Sequence, residues 1–234
     1  MPGTEEWRGL LTEGSMEVIG RMPNSSNATL LVQISDGARA TRAIYKPRKG
    51  ERPLWDFPPG LCRREVAAYE LSHAMGWDQV PCTVLRDGPF GEGSVQLFVD
   101  FDPQEHYFTM LEEHPELHDE LRRIAVFDFV ANNTDRKGGH VLLSTDGNVW
   151  GIDHGVCFSD EFKLRTVIWD FGGEDIPSDM LAVVEGLEKS LPASVTSLLS
   201  PEEVEAMSDR IEWLLVNRTF PSPGSRYEYP WPIL

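Results

Sequence analysis

The sequence predicts an α+β fold: an antiparallel sheet with one helix over residues 1–100, then a mainly helical part over 101–234. Three observations predict it. Between residues 16 and 46, β-branched and alternating apolar residues recur with period two between clusters of turn formers. One segment of helical spacing, stopped by Gly76, interrupts the strands. Beyond residue 100, apolar residues recur at helical spacing, and two of these runs begin at residues that suit an N-cap.

The elements follow in order. M-E-V-I-G-R-M (16–22), A-T-L-L-V-Q-I (28–34) and T-R-A-I-Y-K (41–46) read as strands, joined by the turns P-N-S-S-N and S-D-G-A-R. A proline-rich loop, G-E-R-P-L-W-D-F-P-P-G, leads into a helix over 61–76 with Leu61, Ala68, Leu71 and Met75 near helical spacing. V-P-C-T-V-L-R-D-G and G-S-V-Q-L-F-V read as a hairpin. Helices follow over 115–131, over 178–191 with Ser178 as N-cap, and over 200–215, where Ser200, Pro201 and Glu203 fit a capping box. The proline- and aromatic-rich end, 220–234, reads as packed irregular chain, and Trp55, Trp150, Trp169 and Trp231 read as core or packing residues.

Composition narrows the function classes. A chain of 234 residues buries a real core, as one large domain or two packed lobes. The net charge of −17 argues against nucleic acid, whose affinity comes from cations meeting phosphate, and against stable membrane association. No apolar run reaches bilayer length, and M-P-G-T-E-E-W-R lacks the apolar core of a signal peptide. Cys62, Cys82 and Cys157 are odd in number and form no C-x-x-C pair, so reduced thiols and a cytoplasmic location are expected. Eight cations lie between Arg39 and Arg64, which suits a small polyanion such as a nucleotide or, equally, a solvated basic face.

Four features then fall in one order: a small polar turn at Ser25 and Ser26, Lys46 ending a strand, Glu65 early in the next helix, and Asp135 and Asp153 on turns. Each alone has a bland reading; the aspartates could simply form turns. Together they are the groups phosphoryl transfer needs. A lysine offsets phosphate charge, a glutamate holds the lysine, one carboxylate binds a hard cation, and another positions the acceptor hydroxyl.

The segments A-I-Y-K-P-R-K-G-E, R-E-V-A-A-Y-E-L-S, V-P-C-T-V, G-S-V-Q-L-F-V, N-N-T-D-R and G-I-D-H-G span residues 43–155. In this order they resemble the protein-kinase-like superfamily, in the branch of phosphatidylinositol 3- and 4-kinases and HipA-like kinases. The likeness is nearest to type II phosphatidylinositol 4-kinases and to a set of actinobacterial phosphatidylinositol-kinase-like proteins. The resemblance implies a two-lobed kinase-like fold using ATP with Mg2+ or Mn2+. It implies that Lys46 contacts the ATP phosphates, Glu65 anchors Lys46, and Ser25 and Ser26 cover the phosphates. Gln96, Phe98 and Val99 would form the hinge against adenine. Asp135 would orient or deprotonate the acceptor, and Asp153 would hold metal. Where the family usually has an asparagine as second metal ligand, this chain has His140, a softer ligand that suits manganese at least as well. Lys137 could reach the transferred group. Lys163 and Arg165 point to an acidic or phosphorylated acceptor, protein or small molecule. A nucleotide-binding pseudokinase and an adenylyl transferase remain as alternatives.

Overall fold

The computed structural model describes residues 4–23 and 27–234, so the turn serines Ser25 and Ser26 lie outside the described residues. The chain opens with α1 (Thr4–Glu13), an element missing from the sequence reading, which gave the sheet a single helix. Its Leu10 and Leu11 are fully buried, and Arg86 reaches back to donate to the carbonyls of Leu11 and Gly14.

Strands β1 (Ser15–Arg21), β2 (Leu30–Ser35) and β3 (Ala40–Pro47) form a meander. After α2 (Leu61–Ala74) come β4 (Thr83–Gly88) and β5 (Gly91–Leu97), and the antiparallel order is β1-β2-β3-β5-β4. The period of two decides which face each side chain takes. On β3, Ala43, Tyr45 and Pro47 are buried, which turns Ile44 and Lys46 to the opposite face. Gly93 sits opposite Pro47, where a Cβ would lie 2.5 Å from the Lys46 carbonyl oxygen, so only glycine lets the two strands approach. Helix α2 begins after Gly60, at φ 105°, and the Glu51 carboxylate accepts the Gly60 and Cys62 N–H groups at 2.8 and 3.0 Å. An anion thus fills the positive end of the helix. Gly76, at φ 66°, closes it as expected.

The second part holds α3 (Tyr107–Glu113), α4 (His118–Ala131), a short hairpin β6 (Val141–Leu143) and β7 (Val149–Gly151), then α5 (Ser178–Lys189), α6 (Ala193–Thr196) and α7 (Pro201–Asn217). The helix expected over 115–131 starts as a 3-10 turn at Pro115–Leu117. Ser178 does not cap α5. Pro177 takes that position, and no side-chain cap bond forms. The box on α7 is present: Ser200 Oγ accepts from Glu203 N–H, and Glu203 Oε2 from Ser200 N–H.

Among the ion pairs that tie the sheet side to the helical side, two flank Phe57. Buried Arg64 of α2 pairs with Glu203 of α7, and Lys163 donates to the Asp56 carbonyl at 3.0 Å and to its carboxylate at 3.3 Å. Phe57 lies between them, with Lys163 Nζ 4.3 Å and the Arg64 guanidinium carbon 5.5 Å from its ring centre. The tail is mostly irregular and is anchored by backbone bonds, Thr166 N–H to Glu228 O and Gly138 N–H to Ile233 O at 2.8 Å. It is not packed by its rings as expected: Phe220 is buried, while Tyr227, Tyr229, Trp231, Ile233 and Leu234 are exposed. Two tryptophans are not in the core. Trp55 is 96% exposed and Trp231 88%, because both sit in proline-bounded loops where no periodicity fixes which way a ring faces. No helix among the described residues is long and apolar enough to cross a membrane.

Candidate active site

Strand β3 aims Lys46 away from the core, and the second turn of α2 aims Glu65 toward it. Their ammonium and carboxylate pair directly. The same ammonium donates to Asp153 Oδ1 at 2.8 Å, although 107 residues separate the two. Burial works against the charge on Lys46, but Asp153 and Glu65 outweigh it and hold its pKa above the ordinary value. Lys46 in turn is the main reason the Asp153 carboxyl sits well below the usual carboxylate range, against the opposing effect of burial. Asp153 follows β7 at φ 63°, a left-handed conformation that aspartate tolerates and that recurs at functional loops. Its side chain keeps 51% exposure toward the cleft.

The stretch N-N-T-D-R-K-G-G-H is the loop leaving α4. Asn132, left-handed at φ 48°, ends the helix, and its side-chain amide donates to Ser159 O and Glu161 O at 3.0 and 2.7 Å. Asn133 donates to Asp128 Oδ1 and accepts the Asp135 N–H, while Thr134 Oγ1 donates to Val156 O. The polar run therefore satisfies the backbone of two crossing loops, as buried polar groups require.

Arg136 is the centre of this arrangement and was not singled out from the sequence. It is 0% exposed. Nε and Nη2 grip Asp128 at 2.8 and 2.9 Å, Nη1 donates to His140 O and Ile152 O at 3.1 and 2.9 Å, and Nη2 donates to His154 Nε2 at 2.7 Å. The five N–H groups of a guanidinium are all used. One side chain so fixes the loop bearing Asp135 and His140 against the loop bearing Asp153. Since His154 Nε2 accepts, its proton lies on Nδ1, which is buried without a partner. Burial first, then Arg136 and Lys46, push the His154 pKa well down, so the ring is neutral. The signal in the sequence is Asp128 within A-V-F-D-F-V-A: a carboxylate in an apolar helix face needs a buried cation.

Asp135 and Lys137 pair at 3.0 Å, and His140 Nε2 lies 3.5 Å from Asp153 Oδ2. Burial lowers the His140 pKa, so the imidazole is neutral. No group of three or more His, Cys, Asp or Glu side chains able to hold a metal occurs among the described residues. An ion held by Asp153 and His140 would have to take its remaining ligands from phosphate and water, as magnesium sites commonly do.

These groups line a cavity of about 480 Å³ whose walls include Lys46, Glu65, Asp135, Lys137, His140, Asp153, Thr29 and Arg165. Lys163 is held by Asp56 and does not line it. Nor do Gln96, Phe98 and Val99. Gln96 is buried and donates to Thr83 Oγ1, and Phe98 N–H donates to Arg42 O. Val99 leaves its backbone N–H and C=O unpaired among the described residues.

Residues 72–194, a span that includes Asp135, His140 and Asp153, match the family described as phosphatidylinositol 3- and 4-kinase. Protein Rv2133c of Mycobacterium tuberculosis is 38% identical over 97% of this chain and 95% of its own length. The chain belongs to the phosphatidylinositol 3- and 4-kinase family. Within that family, phosphatidylinositol 4-kinase gamma 4 of rice is 32% identical over 45% of this chain, which spans 22% of the plant protein. Among solved structures, the Helicobacter pylori proinflammatory kinase CtkA covers 90% of this chain and 94% of its own at TM-score 0.52 and 13% identity. Hydra Fam20 with sugar covers 90% and 86% at TM-score 0.56 and 13% identity. At such identities the likeness is one of fold, and the fold is kinase-like.

Proposed function

We propose that this member of the phosphatidylinositol 3- and 4-kinase family is an ATP- and divalent-metal-dependent phosphotransferase that moves the γ-phosphoryl group to a hydroxyl of a soluble acceptor. The observation that carries the reading is the convergence of Lys46, Glu65 and Asp153, from three separated segments, on one cavity that Asp135 also lines. On this reading residues 1–100 are the small lobe and 101–234 the large lobe. Lys46 offsets phosphate charge and Glu65 keeps its ammonium in place. Asp135 accepts or orients the acceptor proton, with Lys137 close enough to meet the transferred group. Asp153 and His140 hold the metal, which would supply charge neutralisation at the phosphates. The unpaired backbone groups of Val99 suit the adenine edge. The net charge of −17 disfavours an anionic membrane surface as the source of the acceptor.

The test is incubation with ATP and Mg2+ or Mn2+, following nucleotide products and intact protein mass, with Asp153→Asn as control. ADP with a phosphoryl-sized gain, lost in the control, supports the reading. AMP-sized labelling with pyrophosphate release replaces it with adenylyl transfer. Bound but unchanged ATP in the presence of a broad acceptor panel points to a pseudokinase.

A further inference from the structure

We propose that His140 shifts the metal position toward Mn2+ over Mg2+: one divalent ion bound between His140 Nε2 and Asp153 Oδ2, with an imidazole nitrogen as one of its protein donors. The inference rests on the cleft being a metal site, as proposed above. Three observations carry it.

The first is the tautomer. His140 Nδ1 stands 3.0 Å from the carbonyl oxygen of Asp135, and a carbonyl only accepts, so Nδ1 bears the proton. The Lys137 N–H is 3.5 Å from the same nitrogen, too long to compete. The lone pair that a neutral ring offers a metal is therefore on Nε2, the atom that faces Asp153. A histidine whose far nitrogen donates to a backbone carbonyl is how proteins orient an imidazole toward a metal.

The second is distance. Nε2 and Asp153 Oδ2 are 3.5 Å apart, too long for a hydrogen bond. Two donors each about 2.1 Å from one ion stand about 3.0 Å apart at an octahedral angle and about 3.4 Å at a tetrahedral one. Sharing an octahedral ion would draw the two atoms together by about 0.5 Å. Lys46 occupies the other carboxylate oxygen, Oδ1, and leaves Oδ2 to the ion.

The third is rigidity. The His140 carbonyl accepts from Arg136 Nη1 at 3.1 Å and from Ile152 N–H at 3.0 Å, so the backbone beneath the ring is fixed to the loop that carries Asp153. Mg2+ favours an all-oxygen octahedron and sheds water reluctantly, whereas Mn2+ accepts a mixed nitrogen and oxygen set.

The experiment uses the full chain with a non-hydrolysable ATP analogue, Mn2+ titration by electron paramagnetic resonance, Mg2+ competition, and pulsed measurement of nitrogen coupling to the bound Mn2+. Expected are imidazole nitrogen coupling, lost in His140→Asn, and an Mn2+ affinity weakened at least about tenfold in that variant, as loss of metal-site groups does. Mg2+ should compete better in His140→Asn than in the wild type. Mn2+ that binds without nitrogen coupling, and is lost in Asp153→Asn but not in His140→Asn, overturns the role of His140 and leaves the metal site standing. Mn2+ binding indifferent to Asp153→Asn removes the metal reading of the cleft and this inference with it. Far-ultraviolet circular dichroism and melting of each variant separate either result from unfolding.

Discussion

Asp128→Asn isolates the interior charge pair on which the cleft is built. Asp128 and Arg136 are both 0% exposed, and the carboxylate accepts from Arg136 Nε and Nη2. The substitution keeps size and shape but leaves the guanidinium buried without its counter-charge, and turns an amide N–H toward a donor. Removing one partner of a buried pair costs about 3–5 kcal/mol. For a chain of this size that is a fall in Tm of about 6–20 °C. The assay is urea unfolding of wild type and variant followed by far-ultraviolet circular dichroism, together with Arg136→Met and the double variant. The double variant should be less destabilised than the two single costs added together, because it strands no charge. A loss below about 1 kcal/mol for Asp128→Asn, the value of an exposed pair, would refute the argument that this guanidinium is a desolvated hub. Strict additivity in the cycle would do the same.

Other outcomes follow from the same geometry. At pH 8 iodoacetamide should label none of the three cysteines in the native chain and all three in denaturant, since all are buried. Burial, then Glu51, pushes the Cys62 thiol up to about 12, and burial raises Cys157 well above its ordinary value. Rapid native labelling of either would contradict the packing. The ionised form of Asp153 is favoured in the fold, so its contribution to stability is present above the unfolded pKa of about 3.9 and is lost as pH falls through the lower folded value. Wild type should exceed Asp153→Asn in urea resistance at pH 7, with the gap closing toward about pH 2; an unchanged gap would show that the Lys46 pair does not stabilise the fold. Ser200→Ala should lower stability by about 1 kcal/mol through loss of the α7 cap, read as a Tm shift, and an unaltered Tm would deny the cap any weight.

The strands, α2 and the capped α7 were legible because period and caps are local properties of sequence. The grouping of Lys46, Glu65, Asp135 and Asp153 around one cavity was legible too, from their residue types and order. What escaped was set by partners far along the chain. Helix α1 is held by Leu10 and Leu11 under a sheet not yet formed at that point in the sequence. Pro177 displaced Ser178 as cap because the chain enters α5 one residue earlier than the hydroxyl requires. Lys163 read as an acceptor contact until Asp56, 107 residues away, took its ammonium. Arg136 looked like one more charge in a turn, and only the fold gives it five acceptors. Trp55 and Trp231 show the limit of reading burial from ring size alone.

The sandwich of Phe57 between Arg64 and Lys163 has a kinetic consequence. For the two sides of the cleft to part, Lys163 must leave Asp56 and Arg64 must leave Glu203, and these two charge separations add to that of Lys46 from Asp153 in the barrier to opening. The Lys163 pair keeps some contact with solvent, with 14% and 18% side-chain exposure, and ions in solution therefore screen it as it separates. Release of any occupant that needs the cleft to open should quicken with ionic strength in the wild type and lose much of that dependence in Lys163→Met. Measured as dissociation rates across a salt series, the same aromatic clamp would act as a timer on residence, set by charge and independent of how tightly the occupant itself is held.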